Sequence, residues 1–145
     1  MNVTIIRATS RKNSSTYNAA QYFISRLHNV EEVFEFTLPK DMPHICYGCY
    51  ACLSGHEEKC GGYAYLKPIN EAIAKSQLLI FCCTVWCFHA PGQIKSFLDH
   101  YGYRWLVHRP NFDMLHKQAV IITTAGAAAY DLPQRISLTA CTIAA

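Results

Sequence analysis

The sequence contains no run of about 20 apolar residues, the length that an α-helix needs to cross a bilayer. Its longest apolar stretch, residues 78–88, has the length of a buried strand and the turn after it. The N-terminal segment MNVTIIRATSRKN lacks the long apolar centre and the small-residue cleavage site of a signal peptide. We therefore expect a cytoplasmic protein without a membrane partner.

Charge of either sign is also sparse. Charged residues make up 16% of the chain, the formal net charge is +3, and the basic residues are scattered rather than clustered. No surface for nucleic acid is predicted from this pattern. Apolar residues make up 51% of 145 residues, and no repeat or low-complexity tract interrupts them. We expect residues 1–145 to form a single domain.

Strand-like and helix-like segments alternate along the chain. The predicted strands are residues 2–7, 31–38, 78–83 and 119–123, and the predicted helices begin at Thr16, at Tyr65 and at Pro91. This alternation predicts an α/β fold, a doubly wound parallel sheet between two helical layers. Residues 132–145 are weakly helical at best, and 136–145 are too short for a further strand and a final helix. The prediction is therefore either a chain truncated before the fifth strand or a sheet whose bare edge is completed by a partner.

In such sheets, ligands bind beyond the carboxyl ends of the strands. Three loops there have suggestive compositions. ATSRKNSST, residues 8–16, offers hydroxyl and amide donors before a helix, which suits an anion or a simple helix cap, and it contains neither GxxxxGK[ST] nor GxGxxG. TVWCFHAPGQ, from Thr84, presents Trp86 and Phe88, which could flank a flat ring or fill the core. The small residues around Gly126 allow close approach to the backbone, or form only a tight turn.

Together these segments resemble the flavodoxin-like NAD(P)H-dependent FMN reductases. That family's phosphate loop has the form GSPRKNGNT, where this chain has ATSRKNSST. Its second motif, tPVYwfsmPgqlKsflDR, corresponds to TVWCFHAPGQIKSFLDH at residues 84–100, and its ttaGa turn corresponds to residues 123–127. The chain departs from the pattern at Ala8, Thr84 and Trp86, where the family has glycine, proline and tyrosine.

The resemblance implies a flavodoxin-like fold and noncovalently bound FMN. NAD(P)H would reduce the flavin, which would pass electrons to a second small-molecule acceptor, a flavin, a quinone or another, and no side chain need act as acid or base. The residues implied in cofactor binding are Thr9, Arg11, Asn13, Ser15 and Thr16 for the phosphate, Thr84, Val85, Trp86, Cys87 and Phe88 for the isoalloxazine, and Thr124, Ala125 and Gly126 for its other edge.

Half of the eight cysteines lie in ICYGCYACLSGHEEKC, at Cys46, Cys49, Cys52 and Cys60. This spacing suits free structural thiols, a [4Fe-4S] cluster or redox pairing, and with His44 or His56 it suits zinc. It also resembles the motif of the iron–sulfur flavoproteins of the same superfamily. Cys82, Cys83 and Cys87, by contrast, are predicted to be small buried hydrophobes on or after the central strand.

Two alternatives to the FMN reductase remain open. One is an iron–sulfur flavoprotein that passes electrons between a cluster and FMN. The other is a non-enzymatic, truncated flavodoxin-like module. A homodimer or homotetramer is predicted from the bare sheet edge and from the aromatic residues of YGYRWLVH at 101–108, which we expect to be exposed. His100 and His108 are expected at the surface or at this interface.

Overall fold

In a computed structural model, residues 1–9, 11–125 and 137–142 are described. The strands are β1 (Asn2–Arg7), β2 (Glu32–Thr37), β3 (Leu78–Thr84), β4 (Gln118–Thr124) and β5 (Ser137–Thr142), and the helices are α1 (Ser15–Ser25), α2 (Tyr63–Lys75), α3 (Gly92–Asp99) and α4 (Tyr103–Leu106). One sheet joins the strands in the order β2-β1-β3-β4-β5. Since β1 to β4 are parallel and connected through helices, the predicted doubly wound α/β fold is confirmed.

The central strands are buried on both faces of the sheet, which explains their unbroken apolar runs. On one face, Val3 and Ile5 pack with Ala20 of α1. On the other face, Ile6 packs with Ile69 of α2 and Phe97 of α3. The helices therefore cover both faces, and the loops beyond the carboxyl ends of the strands stay open.

The C-terminal segment differs from its prediction. Residues 137–142 form β5, which pairs antiparallel with β4, so that Ser137 lies opposite Thr123 and Thr142 opposite Gln118. The alternating, partly β-branched sequence SLTACT suits a strand better than the weak helix that we expected. The parallel part of the sheet ends at β4, but the edge that was predicted to be bare is paired within the chain.

The segment after α3 is more buried than its sequence suggests. The helix ends at Asp99, so Tyr101, which we expected on its apolar stripe, lies beyond it. The hydroxyl of Tyr101 donates to Asn70 Oδ1 at 2.8 Å, and Tyr103 is buried. His100 is also buried, contrary to its predicted surface position. His108 is exposed, as predicted, and Leu106 is the large apolar side chain exposed among those that the structure describes between residues 101 and 108.

The three cysteines near the central strand do not share one environment. Cys82 and Cys83 are buried, as predicted, whereas Cys87 is exposed, and its predicted burial is wrong. The strand ends at Thr84, and the chain has already left the sheet at Cys87. Among the helices described, none is long and apolar enough to cross a membrane.

Candidate functional site

A set of threonine hydroxyls joins the three loops singled out from the sequence. Thr16 is fully buried in the first turn of α1, and its Oγ1 lies 2.6 Å from Thr124 Oγ1 and 3.4 Å from Thr84 Oγ1. Thr84 ends β3 and Thr124 ends β4, so these bonds tie the loops after β1, β3 and β4 together. They meet where the strand order reverses between β1 and β3, the place where doubly wound sheets bind ligands.

We call the first loop, residues 8–16, the phosphate loop. Its Arg11, Lys12 and Asn13 are exposed, as is Ser15. Thr9 Oγ1 accepts a hydrogen bond from the Arg11 N–H at 3.3 Å, which leaves the Thr9 hydroxyl proton free to donate. Because the Thr16 hydroxyl faces the strand ends, Thr16 can reach an anion only through its backbone N–H.

Ser14 caps the helix that follows the phosphate loop, a role that we did not assign to it. Its side chain accepts from the Tyr17 N–H at 3.5 Å. The N–H groups of Ser15 and Thr16 precede any possible partner within the helix, and the described residues supply no other. Two unpaired donors thus remain at the positive end of the helix dipole, beside two exposed cations.

The second loop contains a strained tight turn. Trp86 and His89 exchange two backbone hydrogen bonds of 2.9 Å, and Cys87 and Phe88 between them have φ angles of 48° and 63°. Positive φ at both central positions is the geometry of a type I′ turn, which usually requires glycine or asparagine. Cys87 and Phe88 adopt it at a cost of about 1–2 kcal/mol each. Such strain in a loop at the ligand-binding edge is typical of functional sites.

This turn exposes two aromatic side chains and two amides. Trp86 is 56% exposed and Phe88 is 81% exposed, so neither belongs to the core. The N–H groups of Val85 and Trp86 are used within the protein, by Thr124 O and His89 O respectively. Those of Cys87 and Phe88 have no partner among the described residues and remain available to a ligand.

The third loop is only partly described. Ala125 is exposed, and Thr124 contributes its hydroxyl to Thr16 and its carbonyl to Val85 at 2.9 Å. Gly126, the third residue predicted there, lies outside the described residues. The described part supports the other two loops more than it offers groups to a ligand.

Comparison with known proteins identifies the family. Residues 1–140 match the family model described as NADPH-dependent FMN reductase. The chain belongs to that family. No curated protein sequence matches it.

Solved structures share the fold of this FMN reductase family member. The NAD(P)H:quinone oxidoreductase from Methanothermobacter marburgensis superposes with a TM-score of 0.68 at 20% identity, covering 91% of this chain and 68% of that one. The FMN-dependent NADH-azoreductase from Bacillus anthracis, solved in complex with FMN, superposes with a TM-score of 0.61 at 10% identity, covering 87% of this chain and 70% of that one. The Trp Repressor Binding Protein from Bacillus subtilis gives 0.54 at 19% identity, covering 86% of this chain and 63%, less than two thirds, of that one.

The residues at the three loops fit the group that the family name implies. FMN combines a phosphate with a flat ring system. The phosphate loop offers cations and amides, and the second loop offers exposed aromatic faces and two amides; none of these amides has a partner among the described residues. The departure at Ala8 does not disturb this arrangement. Ala8 has no positive φ, and its N–H donates to Cys82 O at 2.8 Å in continuation of β1. A glycine is therefore unnecessary at this position.

The four clustered cysteines of the FMN reductase border a separate cleft of about 310 Å³ with His44 and His100. They are free thiols in the structure, and burial, with Cys60 and Cys46 nearby, raises the pKa of Cys52. In the part of the chain that is described, no three His, Cys, Asp or Glu side chains are grouped so that they could hold a metal ion. Cys46, Cys49, Cys52 and Cys60 thus share a cleft without converging on a point, and the iron–sulfur and zinc alternatives find no support.

Residues 44–60, which carry the four clustered cysteines, are called the cysteine loop. Side-chain contacts hold this loop in place. The Arg109 guanidinium donates to the carbonyls of Cys52 and Leu53, and Gly61 packs so closely on His44 that an added Cβ would lie 2.7 Å from His44 Nε2. The sequence gives no sign of the contact with Arg109, because more than fifty residues separate the partners. These contacts involve no residue of the three-loop site.

An ion-pair network beneath the phosphate loop was missed in the sequence. Arg7 at the end of β1 is buried and pairs with Glu35 of β2, and Tyr17 of α1 completes the group. One signal was available. A charged residue at the end of the apolar strand NVTIIR needs a partner of opposite charge, and Glu35 lies in the next strand.

Proposed function

We propose that this protein binds FMN noncovalently across the three loops and transfers electrons from NAD(P)H through the flavin to a small-molecule acceptor such as a flavin or a quinone. The bound flavin would supply the redox chemistry, and the protein would supply binding and orientation. The family match supports the assignment. The observation that carries it is the set of hydroxyl bonds from Thr16 to Thr84 and Thr124, which holds the three loops at one edge of the sheet.

Each loop would have a distinct task. The N–H groups of Ser15 and Thr16, the hydroxyl of Thr9 and the side chains of Arg11 and Asn13 would bind the phosphate. The strained turn would hold the isoalloxazine against Trp86 and Phe88, with the amides of Cys87 and Phe88 directed at its polar edge. Val85, Thr84 and Thr124 would support this surface, and Ala125 and Gly126 would border its other side.

The test is direct binding. Protein freed of any chromophore is titrated with FMN, and the quenching of flavin fluorescence gives the Kd. We expect tight one-to-one binding, release of intact FMN by acid, and flavin-dependent oxidation of NADH or NADPH when a quinone is added. Arg11→Ala should raise the Kd for FMN about tenfold, because a charge-assisted bond to phosphate contributes about 1.5 kcal/mol or more.

Arg26→Ala is the matched control. Arg26 is an exposed arginine at the other end of α1, so its loss changes the net charge equally without touching the phosphate loop. If Arg11→Ala and Arg26→Ala weaken FMN binding equally, the loss comes from long-range charge and not from a contact between Arg11 and the phosphate. A protein that takes up no FMN at any concentration would reject the proposed function altogether.

We also propose that the protein is a homodimer or homotetramer. The pairing of β4 with β5 and the burial of Tyr103 weaken the two features on which we first predicted this. Support comes instead from exposed apolar side chains that follow α3. Leu106 is 70% exposed and Phe112 is 69% exposed, with Leu115 nearby in sequence. Exposed apolar surface of this kind favours association.

Light scattering during size-exclusion chromatography tests the assembly. The wild type should elute with the mass of a dimer or larger across a concentration series, and the double substitution Leu106→Glu and Phe112→Glu should yield monomers. Tyr22→Glu, at an equally exposed aromatic residue on α1, should leave the mass unchanged. A monomeric wild type at all concentrations would contradict the proposal.

A further inference from the structure

A buried arginine lies directly beneath the phosphate loop. Arg7 is 7% exposed at the point where β1 ends and the loop begins. Its guanidinium donates through Nε to Thr9 O at 3.1 Å and through Nη2 to Arg11 O at 3.2 Å. Burial of a cation is costly, and these bonds offset part of that cost.

The two bonds from Arg7 set the direction of the loop backbone. In a planar trans peptide, the carbonyl and the following N–H point to opposite sides. Because the Arg11 carbonyl faces the guanidinium, the N–H of Lys12 points away from it. The Thr9 hydroxyl oxygen is also occupied, by the Arg11 N–H. The loop thus uses its acceptors internally and leaves donors for an anion.

Glu35 balances the charge of Arg7 and connects it to the helix. Arg7 Nη1 lies 2.7 Å from Glu35 Oε1, and the Tyr17 hydroxyl donates to Glu35 Oε2 at 2.6 Å. The guanidinium also stacks on the Tyr17 ring, 4.0 Å from its centroid. Tyr17 lies in the first turn of α1, so one network connects β1, β2, the phosphate loop and the helix end that follows it.

We propose that Arg7 is a positioning residue that pre-shapes the phosphate loop for the phosphate of FMN, and that Arg7 and Glu35 together set the preference for FMN over riboflavin. This rests on the proposed function. Arg7 need not touch the phosphate, since it acts through the carbonyls of Thr9 and Arg11. Glu35 opposes the phosphate electrostatically and limits the affinity.

Riboflavin separates this role from a merely structural one, because it carries the same ring without the phosphate. The Kd values for FMN and riboflavin are measured by fluorescence quenching on Arg7→Met, Arg7→Lys and the wild type, each checked for folding by circular dichroism. In Arg7→Met, we expect FMN to bind at least tenfold more weakly and riboflavin to change less than twofold. Arg7→Lys keeps the charge but loses the planar fork, so it should fall between.

Glu35→Gln should act in the opposite direction. The amide oxygen can still accept from Arg7, but the negative charge is gone, so FMN should bind several-fold more tightly, with a steeper loss of affinity in salt. Riboflavin should again be unaffected. Glu31→Gln is the control, because Glu31 is an exposed carboxylate bonded to the N-terminal amine instead.

Two outcomes would overturn the inference. If folded Arg7→Met or Arg7→Lys weakens FMN and riboflavin equally, Arg7 has only a structural role. If both variants keep the wild-type Kd values for FMN and for riboflavin, Arg7 does not shape the phosphate site. A wild type that binds neither flavin would instead reject the proposed function, and a wild type that binds FMN tightly leaves the ratio as the deciding measurement.

Discussion

The seven cysteines whose side chains the structure describes differ widely in how readily a reagent reaches them. Burial raises the pKa of Cys82 to about 12, with Cys83 beside it acting in the same direction, and burial also raises the pKa of Cys83. Cys49 and Cys87 are exposed. Since the thiolate is the reactive form, iodoacetamide at pH 8 should label Cys49 and Cys87 first and leave Cys82 and Cys83 unmodified in the folded protein.

The same labelling reports on the proposed flavin site. Cys87 lies in the strained turn between Trp86 and His89, whereas Cys49 lies in the cysteine loop. Saturating FMN should slow the modification of Cys87 at least several-fold and leave Cys49 unchanged, as measured by mass spectrometry of the digested protein. Equal rates at Cys87 with and without FMN would show that the turn is not covered by the cofactor.

At the scale of single residues, the sequence predicts which residue types the site contains better than it predicts where their side chains point. The donors of residues 9–16 were recognisable, because hydroxyls and cations before a helix suit an anion. The inward orientation of the Thr16 side chain was not, because it depends on Thr124, 108 positions further along the chain. The pairing of Arg7 with Glu35 likewise depends on strand register, which periodicity within one strand does not determine.

Among the elements, the buried apolar strands were predictable from the sequence, whereas the shortest helix and the last strand were not. β1 and β3 are apolar runs buried by helices on both faces, so composition alone located them. α4 spans only Tyr103–Leu106, too few residues for a helical period to show. β5 was missed for a different reason. Its six residues suit a strand, but such a short segment becomes a strand only through its pairing with β4, which the segment alone does not reveal.

The Thr16 hydroxyl should stabilise the arrangement of the three loops, because it joins the start of α1 to the ends of β3 and β4. Thr16→Val keeps the shape but removes a buried hydroxyl whose Thr124 partner would then lose its bond of 2.6 Å. We expect a loss of about 1–2 kcal/mol in the free energy of unfolding in urea and weaker FMN binding. Thr16→Ser, which retains the hydroxyl, should keep most of the FMN affinity. If Thr16→Val binds FMN with the Kd of the wild type, the hydroxyl bonds of Thr16 do not organise the site.

At the scale of the whole molecule, His100 should make stability depend on pH. His100 is 5% exposed, its Nδ1 lies 2.9 Å from Ser96 O, and its Nε2 lies 3.4 Å from His44 Nδ1. Burial lowers the pKa of His100, and neighbouring His44 acts in the same direction, while the Ser96 carbonyl and Asp99 oppose it. No carboxylate makes a direct hydrogen bond to this ring among the residues described.

The sign follows from proton binding. Below about pH 6.5 the unfolded chain protonates this histidine while the folded protein does not, so the folded state binds fewer protons. The free energy of unfolding should therefore fall as the pH drops below about 6.5 and keep falling until the lowered folded pKa is reached, with a slope of at most about 1.4 kcal/mol per pH unit. Urea unfolding at pH 7.5, 6.5 and 5.5 measures this dependence.

Two glutamine variants isolate the contribution of His100. His100→Gln can still donate to the Ser96 carbonyl but cannot titrate, so its stability curve should be flatter than that of the wild type between pH 7.5 and 5.5. His28→Gln removes an exposed histidine and should leave the curve unchanged. Because His44 belongs to the cysteine loop and His100 follows α3, acid should weaken the attachment of that loop. Parallel curves for His100→Gln and the wild type would show that His100 does not cause the acid sensitivity.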